Sequence, residues 1–505
     1  MQKIAAIDAG SNAIRLVVAD LDDRWQVQPL ESIRIPVRLG QDVFTNGILQ
    51  ENTIQQAMEA FVQFRHIVDD FGVSRIKAVA TAAVREAQNS ALLIDRIARV
   101  SGIELEVING EEEARLVHLA VASIFDLAGK NALLVDIGGG SVEITLTRGN
   151  NIFSTNSYAM GTVRLLQKLD WNAYARNPAA FGLLVREYVE SASHHLREDI
   201  GDTRIQLCVG TGGNVEEIGK LRQRLFKHDD DRMVSVAELE KLVERLSRMN
   251  YAERIRKLNL RPDRADVILP AMTVLKLVAQ LAGVEEVLIP SVGLKNGILL
   301  DMAANMEHEL VLPRREQVLE STVRIGRKYR FDQDHANTVA RLAMRLFDQA
   351  EKIHLLDGEE RLLLEIAAQL HDVGHFISTV DHDQHGEYIL RANHVIGLSE
   401  RQQEMVAMIV RYHRKGFPYL DGQSESELPQ KDRRVVMMLC ALLRLADGMD
   451  ASHTQRVSDV VIEERPNGWT LRLVGKGDLT LEKWSVSKRS ALFTDVFGFP
   501  LEVTG

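Results

Sequence analysis

NALLVDIGGGSVEITLT, residues Asn131–Thr147, decides how the rest of the chain is read. An apolar run from Ala132 to Val135 ends in Asp136, and a turn of Gly138, Gly139, Gly140 and Ser141 follows. Val142 to Thr147 then alternates apolar and polar at period 2. The pattern predicts a strand, a glycine turn and a returning strand. Glycines let backbone N–H groups approach an anion closely, and the serine hydroxyl adds a donor. Asp136 and Glu143 bracket the turn, where two carboxylates can hold a divalent metal over that anion. The plainer alternatives are a turn-initiating aspartate and a strand glutamate facing solvent.

The N-terminus repeats this arrangement. Ile4 to Ile7 is a short apolar strand ending in Asp8, Gly10-Ser11-Asn12 forms the turn, and Ala13 to Asp20 returns. The two aspartates stand 128 residues apart, Asp8 to Asp136, which is about one small α/β domain. Two related half-domains with facing phosphate turns are therefore expected. A third glycine turn, Gly210, Thr211, Gly212 and Gly213, follows the strand Ile205–Val209 and opens a helix at Asn214. There, helix N–H groups are available to an anion.

Between the turns, Gly40 to Gly47 reads as loop, Glu51 to Phe71 and Ser90 to Val100 as helices, and Ile76–Ala80 and Glu104–Ile108 as strands. Asn109-Gly110 opens a helix whose first turn is Glu111, Glu112, Glu113. Acidic residues there complement the helix dipole, and Glu111 and Arg115 are an i, i+4 pair. A water-activating base is also available among the three, and spacing does not choose between them. Further on, Phe181 to Ile200 and Val236 to Met249 read as helices, the latter capped by Ser235, and Ala265 to Leu281 as a helix kinked at Pro270.

The composition turns polar near Glu307–Glu316, so the domains are placed at 1–125, 126–306 and 307–505. The last reads as mostly helical to about Ser452 and then as short strands, with a turn at Pro466-Asn467-Gly468. At 505 residues, 45% apolar and 26% charged, this is an ordinary globular composition too long for a single core. A net charge of −10 argues against a general nucleic-acid binder, so a polyanion would have to meet a local basic patch. Arg324, Arg327, Lys328 and Arg330, then Arg411, Arg414 and Lys415, then Lys431, Arg433 and Arg434 cluster in the third domain, and Arg34 and Arg38 in the first. No signal peptide or membrane span is read, and Cys208 and Cys440 lie in apolar stretches as buried thiols expected in a reducing, cytoplasmic setting.

IDAGSNAIRL, ATAAVREAQN, INGEEEARL, VDIGGGSVEI, GTGG and PSVGLKNG occur in this order. Together they closely resemble the exopolyphosphatase / guanosine pentaphosphate phosphatase family, over essentially the whole chain. The resemblance implies the duplicated ribonuclease-H-like fold of the actin-like ATPase and sugar-kinase superfamily. It also implies release of terminal phosphate from inorganic polyphosphate, with guanosine pentaphosphate as the alternative substrate. By the same resemblance Glu113 is the catalytic base, Asp136 and Glu143 serve metal and phosphate, and Ser11, Asn12, Arg15, Thr81 and Arg85 line the cleft; Asp8, which ends the first apolar strand, is read from its place before the turn as a further candidate metal carboxylate. Mg²⁺ or Mn²⁺, a monovalent cation and a homodimer are the implied cofactors and assembly. The chain has Ala13 where the family usually has Ser, and Lys295-Asn296 in place of the Arg-Glu of its GLREG motif.

In the third domain, His335, His371-Asp372 and Asp447 follow the H…HD…D order of HD phosphohydrolases, and His385 and His413 resemble the extra ligands of two-metal versions. Longer family members carry such an HD-like domain, often without a working metal site. The implied second site for a divalent ion is His335, His371, Asp372, His385, His413 and Asp447.

Overall fold

Two hairpins set the architecture. In the computed structural model, which describes residues 2–22, 26–169, 178–201, 203–306, 311–416, 428–465 and 468–504, β1 (Gln2–Ala9) pairs antiparallel with β2 (Ile14–Leu21). With β3 (Val27–Ile35), β4 (Arg75–Ala80) and β5 (Leu105–Val107) they form a sheet in the order β3-β2-β1-β4-β5, with β4 and β5 parallel to β1. The second hairpin joins β6 (Asn131–Ile137) to β7 (Val142–Arg148), and β8 (Asn151–Tyr158), β9 (Leu207–Thr211), β10 (Met233–Ser235) and β11 (Glu286–Leu288) complete its sheet. The order is β10-β11-β9-β6-β7-β8. Read from β8, this is the first sheet again, β8-β7-β6-β9-β11, with β10 added at the edge. The duplication is thus one of topology, and it puts each glycine turn at the same place in its sheet.

Both sheets belong to one unit, Met1–Val311; Leu312–Gly505 forms the other. In the first unit, buried side chains from Ile4, Ala6, Val79, Leu116, Val117, Leu134 and Ile298 make a core shared by the two sheets. The helices Gly110–Ala122 and Leu294–Met306 pack closely there, because Gly297 meets the backbone of Leu116 where a Cβ would collide. The described residues of the second unit up to 448 are mainly helical, and a sheet of β12 (Val457–Arg465), β13 (Gly468–Gly475) and β14 (Leu501–Thr504) follows.

Several sequence expectations change. The expected loop at 40–47 is a helix, Leu39–Asn46, ended by Gly47 at φ 75°, the left-handed stop that favours glycine. Pro270 falls in the first turn of its helix, Ile268–Leu281, where proline is tolerated, and not in its interior. The tail contains two helices, Thr480–Arg489 and Ala491–Phe497, whose Val486, Leu492 and Phe493 enter the helical core. β7 is buried on both faces, Thr145 and Thr147 included, where alternation suggested one wet face. The expected turn at Pro466-Asn467 and the boundary at 307 lie outside the described residues.

Candidate functional site

The β1–β2 and β6–β7 turns and the loop after β9 line one cleft of about 260 Å³. Its walls include Asp8, Gly10, Ser11, Asn12, Arg15, Thr81, Glu113, Asp136, Gly138, Gly139, Gly140, Ser141, Gly212 and Gly213. The β6–β7 turn is braced from behind. The carbonyls of Gly138, Gly139 and Gly140 accept from the N–H groups of Thr162, Val163 and Gly161 and from the Arg164 side chain. Gly161 permits this approach, since a Cβ there would collide with the backbone of Gly139, Gly140 and Ser141.

Three carboxylates converge in the cleft: oxygens of Glu113, Asp136 and Glu143 lie within 4.8 Å of one another, all three buried. Each is positioned by local structure. Asp136 and Glu143 face each other across the β6–β7 ladder, where like charges repel. The Thr211 hydroxyl donates to Asp136 Oδ1 at 2.6 Å, and Ser157 donates to Glu143 Oε1 at 2.8 Å. Glu113 sits in the first turn of a helix capped by Asn109, whose side chain accepts from Glu112 N at 2.8 Å. Geometry also separates the three glutamates. Glu112 is held by Arg115 through two hydrogen bonds of 2.7 Å, with Asp301 as that arginine's other partner at 2.8 Å. The expected Glu111–Arg115 pair gives way to this arrangement, and Glu113 alone of the three enters the triad.

Crowding raises the triad's proton affinity. Burial first, then Glu143 and Asp136, push Glu113 well above the usual carboxylate range, against the pull of Arg85. Burial lifts Asp136 to about 6 despite Thr211, and burial with Asp136 lifts Glu143 to about 7 despite Ser141 and Ser157. Oε2 of Glu113 and Oε2 of Glu143 are buried without a partner among the described residues. Such oxygens suit a hard cation.

Other expected residues take different places. Asp8 stands outside the triad, its Oδ2 occupied by Arg15 at 2.9 Å. Arg85 is not on the cleft wall: its guanidinium donates to Ile108 O at 2.6 Å and faces the triad as a neighbouring positive charge. Gly210 is packed against Val215 and Val287 inside the sheet, and Thr211 acts through Asp136, so only Gly212 and Gly213 of that loop reach the cleft. Gly212 has φ 96° and would meet Ile137 O with a Cβ.

The cleft's cations were largely missed. Arg34, Lys220, Arg261, Arg264 and Lys295 join Arg15 on its walls. Arg264 donates to Asn214 at 2.6 Å, and its Nε is buried with no partner among the described residues. Burial, then Arg15 and Arg34, hold its pKa down to about 9. Arg34 and Arg38 instead bridge the half-domains, pairing with Asp263 and, at 2.7 Å, Asp266. A strand alternation or helix period carries no signal for Arg264, whose side chain donates to Asn214, 50 residues away in sequence.

In the second unit, His335, His371, Asp372 and Asp447 also come together, whereas His385 joins no ligand cluster among the described residues. His382, three residues earlier on the helix His382–Ala392, stands beside His413 and Asp372 instead. As that helix's first residue it points inward and is 2% exposed. Of the basic runs, Arg411 is paired with Asp383 and Glu387, and Lys328 donates to Asn393.

Residues 17–306 match the Ppx/GppA phosphatase family, and residues 318–481 match domain III of the same family. The chain therefore belongs to the Ppx/GppA phosphatase family, and is a hydrolase of phosphoanhydride bonds on an actin-like, ribonuclease-H-like fold with a helical C-terminal region. It is 27% identical to a guanosine-5'-triphosphate,3'-diphosphate pyrophosphatase from Aliivibrio fischeri, over 83% of this chain and 82% of that one. Among solved structures it resembles an exopolyphosphatase from Cytophaga hutchinsonii (25% identity, TM-score 0.56, 60% of this chain and 98% of that one). It also resembles the PPX-GPPA enzyme of Aquifex aeolicus (26% identity, TM-score 0.50, 59% and 99%). No described helix is long and apolar enough to cross a membrane.

Proposed function

We propose that the cleft releases terminal phosphate from inorganic polyphosphate. The observation carrying this reading is the lining itself. Among the described residues, six basic side chains and no aromatic ring line the cleft of the buried carboxylate triad. That wall suits a chain of phosphates and offers no stacking surface to a purine base.

Asp136 and Glu143 are the residues that would hold Mg²⁺, since their facing carboxylates and the orphaned Glu143 oxygen suit a hard cation. When bound, the ion neutralises charge on the phosphoryl oxygens. Arg15, Arg264 and the turn amides around Ser11 and Gly139 orient the terminal phosphate. Glu113 takes a proton from water as the water oxygen bonds to the terminal phosphorus and the phosphoanhydride P–O bond breaks. One inorganic phosphate and a shortened chain leave, and the proton passes to solvent. Burial and the two neighbouring carboxylates give Glu113 the raised basicity this role needs. Arg85 offsets part of the triad's charge and positions Glu113.

Guanosine pentaphosphate at the same centre is the second reading, favoured by the name of the Aliivibrio relative. Measuring kcat/KM on long-chain polyphosphate and on guanosine pentaphosphate side by side separates them. At least tenfold preference for polyphosphate is expected; preference for the nucleotide overturns the first reading.

A further inference from the structure

Arg164 is not on the cleft wall, yet through it the β6–β7 turn is tied to the other half-domain. It sits in the first turn of the helix Thr162–Lys168, which follows β8. Its Nε donates to Gly140 O at 2.7 Å, and its Nη2 donates to Glu86 at the end of the helix Ala82–Glu86 in the first half-domain. Its Cζ stands 4.1 Å from the centre of the Phe44 ring, on the helix Leu39–Asn46 of that same half-domain. The guanidinium is thus held on two edges and one face. Its side chain is 10% exposed and that of Glu86 43%, so the bracket runs from the interior out to an accessible anchor.

The parts it joins are packed without slack. A Cβ on Gly140 would stand 2.6 Å from Ala82 Cβ and from Phe44 Cζ and 2.8 Å from Ser11 Oγ, and one on Gly139 would stand 3.0 Å from Ser11 Cβ. The second phosphate turn therefore rests directly on the first. Two short helices of the first half-domain each touch both the cleft and the bracket. Gly40 N, at the start of Leu39–Asn46, donates to Ser11 O at 2.8 Å, and Phe44 on the same helix lies against Arg164. Thr81 and Ala82 line the cleft, and Glu86, one turn on, anchors Arg164. A charged donor holds a carbonyl more firmly than a neutral one. The peptide unit is planar and trans, so fixing Gly140 O also fixes the opposite direction of the Ser141 N–H, and Ser141 lines the cleft.

We propose that Arg164 is a positioning residue for phosphate release: through Gly140 O it aims the Ser141 amide, and through Glu86 and Phe44 it sets the second phosphate turn against the first half-domain. The inference rests on the reading that the β6–β7 turn holds the terminal phosphate. The basic side chains of the cleft wall hold the rest of a polyphosphate chain without Arg164, so its loss leaves binding largely in place. What is lost is the alignment of donors with the charge that develops on the phosphoryl group as the P–O bond breaks. The effect therefore falls on kcat more than on KM.

Full chains carrying Arg164→Ala, Arg164→Lys, Glu86→Lys or Glu113→Gln are assayed for phosphate release well below each variant's melting temperature. Removing a preorganised donor costs about 10²–10³-fold in kcat, so misaligning one through Arg164→Ala should lower kcat about 30-fold or more and change KM for long-chain polyphosphate less than about threefold. Arg164→Lys, whose single nitrogen replaces the two that reach Gly140 O and Glu86, should fall between Arg164→Ala and wild type. Glu86→Lys repels the guanidinium from an accessible site and should lower kcat about fivefold or more with the fold intact, which carries the test if Arg164→Ala fails to fold. The same losses are expected with guanosine pentaphosphate, so a wrong substrate preference leaves the result readable. Arg164→Ala or Glu86→Lys with kcat within about twofold of wild type, or with the whole loss in KM, overturns the inference. An inactive Glu113→Gln beside them would then leave the reading of the cleft standing.

Discussion

Glu113→Gln tests the triad through two readouts that move in opposite directions. The substitution keeps shape and removes the proposed base, so phosphate release should fall about 10²–10⁴-fold, equivalent to about 2.7–5.5 kcal/mol of barrier. It also removes one of three buried carboxyl groups lying within 4.8 Å of one another, whose raised proton affinity reflects the cost of charging them together. At that separation and an effective dielectric constant of about 20, one pair of unit charges repels by about 3.5 kcal/mol. Free of metal at pH 8, the variant should therefore be more stable than wild type by up to about 3 kcal/mol, a rise of several degrees in the melting temperature of the first unit. Saturating Mg²⁺ should narrow that gap, because wild type gains the neutralising ion and the variant has less charge to neutralise. Phosphate release on polyphosphate, paired with melts in chelator and in Mg²⁺, gives both numbers. A variant within threefold of the wild-type rate, or one that melts below wild type in chelator, would refute the reasoning.

Four further outcomes follow from the same site. Arg264→Ala removes a buried guanidinium whose Nε is unpartnered, and losing charge-assisted hydrogen bonds of about 1.5–3 kcal/mol should raise KM for polyphosphate by about tenfold or more in steady-state kinetics. Protons compete for the carboxylates near 6 and 7, so divalent-cation affinity measured by calorimetry should weaken at least about tenfold from pH 8 to pH 5.5. In the metal-free chain these groups bind protons more tightly folded than unfolded, so their contribution to stability rises as pH falls from about 7 toward about 4. Gly161→Ala forces a Cβ into the backbone of the β6–β7 turn and should abolish phosphate release while lowering the melting temperature, whereas Gly293→Ala, which meets nothing within 4 Å, should leave the melt unchanged.

What the sequence discloses is local, and what it conceals is brought together by folding. The two hairpins were readable because period-2 runs flank glycines, a pattern held within 17 consecutive residues at Asn131–Thr147. The helix carrying Glu113 was readable from Asn109 and three glutamates, yet the choice among them came from resemblance until Arg115 was seen to claim Glu112. Gly161 and Arg264 sit in ordinary-looking stretches, and their roles come from partners more than 20 residues away. His385 and His382 share one helix and differ only in facing, which composition cannot register. The short helix Leu39–Asn46 was hidden by the glycines inside it and after it.

The arginine bridges between the half-domains have a consequence for how the cleft is entered. Arg34 holds Asp263 while also forming part of the wall, and Arg38 holds Asp266 next to it. An arriving phosphate oxyanion offers Arg34 the same planar, charge-assisted contact that Asp263 gives it. Substrate and tether are then rivals for one guanidinium. A phosphate docked at Arg34 would therefore weaken one of the contacts that join the two halves.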